Sequence, residues 1–268
     1  MTPRAGFALT GIAGIAVSFL AIPVVVLIAR AVLGGEVLAA VASGVVVDAL
    51  VLSVITTVSA VLLVIVFGTP LALFLAKSRA RWAGWVETAV DLPIVLPPSV
   101  AGLALLLLFG SRGLIGRPLA DLGLAVPFTT FAVILAQVFV AAPFFVRSVR
   151  AGFLGVDHEL EDAARVDGAS ERHVFRWITV PMAAPALAAG LVMTWARALG
   201  EFGATIMFTG NVAGLTQTLP LVVYGEFQSS DLESSIAAAA VLVLAACAAL
   251  IAVRALGWRR ALDGRAGA

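Results

Sequence analysis

The sequence predicts an all-α polytopic membrane protein with six transmembrane helices, and three observations carry that expectation. Hydrophobic residues make up 62% of the 268 residues and charged residues only 12%, at a mean hydropathy of +1.10, far from the composition of a soluble domain. Uncharged windows of at least 20 residues lie at 5–29, 49–76, 92–111, 122–146, 177–196 and 234–253, each long enough for the ~20 residues of helix that cross a bilayer. With the N-terminus inside, thirteen of the 17 basic residues then fall on the cytoplasmic side: Arg4, Lys77, Arg79, Arg81, Arg147, Arg150, Arg165, Arg172, Arg176, Arg254, Arg259, Arg260 and Arg265. Arg30, Arg112 and Arg117 lie outside and Arg197 in or at the end of the fifth span, so the positive-inside bias is strong.

The first window follows Met1-Thr2-Pro3-Arg4 and is long enough to span, so it reads as a retained helix and not a cleaved signal. The third opens on Leu92-Pro93-Ile94-Val95-Leu96-Pro97-Pro98-Ser99. Three prolines in six residues prevent a continuous regular helix, and the freed backbone groups need a neighbouring helix or a water-lined cavity. Pro97, Pro98 and Ser99 are therefore candidates for a translocation pathway or gate, with a simple kink or late helix start as the alternative. Residues 114–124 mix apolar side chains with Arg117 and Asp121, as in a short helix at the outer interface or a packed loop. Window 202–225 is diluted by Gly203, Gly210, Asn211, Gly214, Gln217 and Pro220. A crossing there would put the C-terminal arginines outside, so it reads as the end of span five plus an irregular outer segment. Cys247, the one cysteine, reads as a core residue of the last span.

The long charged loop between spans four and five carries two short helices. Asp157 is placed to cap the first, Gly168 to end it, Ser170 to cap the second and Pro181 to break the run. Within it stand Asp162-Ala163-Ala164, then Gly168 and, after nine residues, Ile178-Thr179-Val180-Pro181. This pattern resembles the EAA loop of ABC importer permeases, with Asp162 where the family usually has Glu and Val180 where it has Leu. The resemblance implies a type I ABC importer permease fold over a single domain, 1–268, with a cytoplasmic coupling loop at about 151–181. It also implies that Asp162, Ala163, Ala164, Gly168, Ile178, Val180 and Pro181 dock on the ATPase.

Other chemistries lack their residues. The only lysine, Lys77, has Leu71 and Ala76 where a phosphate-binding loop needs glycines, and His158 and His173 do not form a zinc motif. No catalytic or metal site is expected, nor nucleic-acid binding. The spans are clean of ionisable groups except Arg197 and Glu201, four apart on one helical face and able to pair; proton-coupled carriers usually need more.

The segment Ala198-Leu199-Gly200-Glu201-Phe202-Gly203-Ala204-Thr205-Ile206-Met207-Phe208-Thr209-Gly210-Asn211 is similar to the fifth-span region of molybdate permeases, with sulfate and tungstate permeases related. Glu201, Thr205, Thr209 and Asn211 are candidate pathway residues, since hydroxyls and amides can pass an oxyanion without trapping it; threonines that only satisfy backbone or packing are the alternative. The resemblance further implies a homodimer, two ATPase subunits that use ATP and Mg, and an extracytoplasmic molybdate-binding protein. It implies no cofactor in this chain and a bacterial or archaeal cell membrane location with both termini cytoplasmic. A secondary transporter or channel and an integral membrane enzyme are the competing classes.

Overall fold

A computed structural model describes residues 3–42, 44–78 and 80–266. Thirteen α-helices and one π turn account for the elements described, and no strand occurs among these residues. Arg79 lies outside the described residues, as do the side chains of Arg4, Arg254, Arg259, Arg260 and Arg265.

The predicted windows become α1 (Pro3–Leu33), α3 (Val45–Lys77), α7 (Thr130–Leu154), α10 (Val180–Leu199) and α13 (Leu232–Ala266), with a short α2 (Glu36–Ala42) between the first two. Five runs are long and apolar enough to cross a membrane, and α4 (Ala83–Val95) with α5 (Pro98–Phe109) gives a sixth if the bent pair counts as one broken crossing. That pair is bent by 116°, so window 92–111 is no straight span. Pro97 sits extended at φ −54°, ψ 135° before α5, and Pro98 takes the first helical position, where its missing N–H costs nothing. The first half of this crossing also begins earlier than the uncharged window, at Ala83, and carries Glu87 and Asp91.

α7 organises the bundle. α3 and α10 pack along it, and α4, α5 and the short α11 (Gly203–Thr209) join from its other sides. At one end Val64, Leu75, Phe145, Val149 and Phe153 form a core; toward the other, Ala101, Leu105, Ala132, Ala136 and Phe208 form a second. A third joins α3 to α12 (Leu219–Gln228) and α13. Of the two readings of 114–124, a short helix forms, α6 (Gly116–Asp121).

Window 202–225 does not span. It holds α11 and α12, separated by a turn with Gly210 at φ 68° and Gly214 at φ 71°. Leu219 at the start of α12 donates its N–H to the Ser53 hydroxyl of α3 at 2.7 Å, so the segment dips back into the bundle. Cys247 is exposed on α13 and not a core residue; the last span turns that face away from the helices it packs on.

Candidate functional site

The elbow forms as the sequence predicts at its first half. α8 (His158–Val166) starts where the Asp157 carboxylate accepts the Glu159 N–H at 2.9 Å. It ends with Gly168 at φ 88°, the Gly168 N–H on the Arg165 carbonyl at 3.0 Å and the Ala169 N–H on the Ala164 carbonyl at 2.9 Å. This 5→2 and 6→1 pair is a Schellman stop, which requires the left-handed residue that glycine supplies. Across the turn, Arg165 donates to both oxygens of Glu171 at 2.7 and 3.2 Å and to Asp162 at 2.7 Å. These partners hold the guanidinium firmly protonated and keep Glu171 below the usual carboxylate range.

The second half departs from expectation at two places. Ser170 occupies the cap position of α9 (Glu171–Val174), but its hydroxyl makes no capping hydrogen bond. Pro181 does not break the run: α9, a π turn at Phe175–Thr179 and α10 form one span, Glu171–Leu199. The Val180 N–H reaches back to the Phe175 carbonyl, an i→i−5 bond that absorbs the extra residue, and Pro181 sits in the first turn of α10, where a proline is tolerated.

Asp162, Ala163 and Gly168 face outward, with Val166 88% exposed and Leu160 half-exposed beside them. Ile178 and Val180 are partly covered. Glu161, one residue from Asp162, is only 2% exposed. Its carboxylate accepts Lys77 Nζ at 3.1 Å on each oxygen and the Thr179 hydroxyl at 2.5 Å. Burial pushes its pKa up, but the Thr179 and Lys77 hydrogen bonds and the charges of Lys77 and Arg165 outweigh it, holding the carboxyl below its ordinary value.

Toward the opposite end of α7 the two interrupted stretches meet. A Cβ on Gly203 would stand 2.7 Å from Pro98 Cβ and 3.2 Å from Ser99 N, and one on Gly102 would stand 2.4 Å from the Ala204 carbonyl oxygen. The break before α5 and the start of α11 are therefore in direct backbone contact. Arg197 Nη1 and Glu201 Oε2 pair at 2.5 Å, as their spacing predicts, and Glu201 Oε1 accepts the Ala204 N–H at 2.7 Å, capping α11. Pro97, Pro98, Ser99 and Asn211 are exposed. Thr205 and Thr209 are fully buried; the Thr209 hydroxyl bonds the Thr205 carbonyl at 2.9 Å, while the Thr205 hydroxyl has no hydrogen-bond partner.

Sequence reasoning missed Glu161, Lys77 and Thr179 as a cluster. It also missed the pairing of Glu87 with Arg150 at 2.5 Å and of Asp91 with Arg147 at 3.7 Å, which fastens α4 to α7. A lysine closing a long apolar run was a signal for the first. The second left none, because its partners lie about sixty residues apart.

Residues 68–266 match the family model described as the binding-protein-dependent transport system inner membrane component. The chain belongs to that family. Among members, it is 40% identical over 205 residues to the molybdenum transport system permease protein ModB of Mycobacterium tuberculosis, covering 76% of this chain and 77% of the relative. It is 38% identical over 199 residues to the ModB of Escherichia coli K12, covering 74% and 87%. Of solved structures, a bacterial ABC transporter involved in alginate import superposes with a TM-score of 0.61 at 20% identity, covering 78% of this chain and 79% of that one. An amino acid ABC transporter gives 0.58 at 20% identity, covering 81% and 94%. The fold is thus that of ABC transporter permeases, and this family member is a multi-pass membrane protein.

Proposed function

We propose that the chain is the translocation subunit of an ATP-driven importer of molybdate. The observation that carries this reading is the elbow, a capped helix ended by a left-handed glycine, with small and apolar residues facing outward at one end of a membrane bundle. Ala163 and Ala164 let a partner surface seat closely, and Asp162, Gly168, Ile178, Val180 and Pro181 complete the docking unit. The 40% and 38% identities to ModB proteins support molybdate as cargo.

In this reading two copies of the chain pair, and two ATPase subunits dock on their elbows from the cytoplasm, where both termini also lie. The ATPases bind ATP and Mg; this chain performs no catalysis. A binding protein delivers the anion on the other face of a bacterial or archaeal cell membrane. ATP-driven closure draws the elbows together and opens the pathway outward; hydrolysis returns it. The junction of Pro97, Pro98 and Ser99 with Gly203 forms the gate region, Asn211 lies on its exposed side, and Glu201, Thr205 and Thr209 set its wall.

The test is ATP hydrolysis by the assembled complex in vesicles, stimulated in turn by binding protein loaded with molybdate, tungstate or sulfate. Stimulation by molybdate is expected. Stimulation by sulfate alone would move the cargo to that anion, and hydrolysis indifferent to any loaded binding protein would overturn the importer reading.

A further inference from the structure

We propose that Glu161 is the positioning residue through which the elbow moves two membrane spans together, a role that rests on the importer reading above. Among the described residues only Glu161 and Glu201 are buried charges, and Glu201 belongs to the opposite end of the bundle. Neighbours on α8 divide the work: Asp162 points to solvent and pairs with Arg165, whereas Glu161 turns inward.

The two groups that meet Glu161 are the terminal residues of different spans. Lys77 is the last residue of α3, and Thr179 is the last residue of the π turn that leads without a break into α10. Both spans pack along α7. A displacement of α8 is thereby applied at one atom group to α3 and α10 at once. His158 and Arg165 flank the same carboxylate at 3.6 Å, closing it from the solvent side.

An apolar contact at this place could slide. A buried carboxylate held on both oxygens cannot be released without leaving charge uncompensated, which is costly, so the node travels as a unit. The π turn has a purpose in the same geometry. Its wider i→i−5 bond shifts the register of the residues after it, and Thr179 within it presents its hydroxyl to Glu161 at 2.5 Å.

The experiment uses the chain with its ATPase subunits and loaded binding protein in vesicles, and compares wild type with Glu161→Gln, Lys77→Met and the exchange Lys77→Glu with Glu161→Lys. ATPase recruitment, basal hydrolysis and anion transported per ATP are measured on each. The single variants should recruit the ATPase and keep basal hydrolysis, while transport per ATP falls about ten-fold, the scale of an ordinary coupling free energy. The exchange should recover part of the loss, which a merely structural role would not produce. Transport per ATP unchanged in Glu161→Gln, or a loss of transport matched by loss of ATPase recruitment, overturns the proposal while leaving the importer reading intact. A wild-type chain that recruits no ATPase overturns both.

Discussion

Gly168 acts through its backbone and not through lack of space. A Cβ there would meet nothing within 4 Å, yet its φ is 88°, a region that costs an L-residue roughly 1–2 kcal/mol. Gly168→Val should therefore weaken ATPase docking and uptake, while Gly168→Asn, which tolerates the left-handed region, should keep most of both; equal losses in the two would show that the turn is not the cause. Sequence spacing located this glycine correctly. Glu161 could not be found the same way, because it reads as one of many loop charges and its partners lie 84 and 18 residues away. Its depressed pKa has a sign that can be checked. A carboxyl held below its ordinary value of about 4.3 contributes stability above that pH and loses it as pH falls through the folded value. Hydrogen exchange of the α8 amides should stay protected from neutral pH down past the ordinary carboxylate range and rise only in stronger acid. Loss of protection above the ordinary carboxylate range would contradict the assignment to Glu161.

Among the elements, composition gave existence and local chemistry gave boundaries, and each failure has a physical cause. Pro181 did not end a helix because the π turn before it places the proline in a first turn. Window 92–111 was cut short because Glu87 and Asp91 looked like the end of a span, whereas Arg150 and Arg147 partner them on α7. The junction of α5 with α11 could not be read at all, since it depends on Gly102 lying against Ala204 and Gly203 against Pro98, about a hundred residues apart in the chain. It makes a sharp prediction. A Cβ on Gly102 would lie 2.4 Å from the Ala204 carbonyl oxygen and 2.8 Å from its Cα, atoms that cannot swing aside, so Gly102→Ala should destabilise by roughly 1–3 kcal/mol. Gly84→Ala, with nothing within 4 Å of its Cβ, is the control, and thermal unfolding in detergent compares them; equal midpoints would contradict the packing described. The Arg197–Glu201 pair was legible from its four-residue spacing. Removing one member strands a buried charge at a cost of about 3–5 kcal/mol. Arg197→Met should accordingly unfold at lower temperature than Arg197→Met combined with Glu201→Gln, and the reverse order would reject the pair as the stabilising contact.

For the whole molecule, hydropathy and the sidedness of basic residues were enough to give a multi-pass bundle, because the bilayer permits few ways to satisfy a backbone. They were not enough to say that the bundle carries the capped elbow at one end and a junction of two interrupted stretches at the other. The elbow at one end and the joined breaks at the other are linked through α3, α7 and α10, about 37 Å at the helical rise of α7's 25 residues. In the proposed reading, an ATPase docked on the elbow acts on the gate region across that length. The most direct test is uptake of molybdate into vesicles carrying the chain, its ATPase subunits and the loaded binding protein, with and without hydrolysable ATP, and with a proton uncoupler in a parallel sample. Uptake that needs ATP and the ATPase and ignores the uncoupler is the predicted result. Uptake by the chain alone, abolished by the uncoupler and indifferent to ATP, would contradict the account.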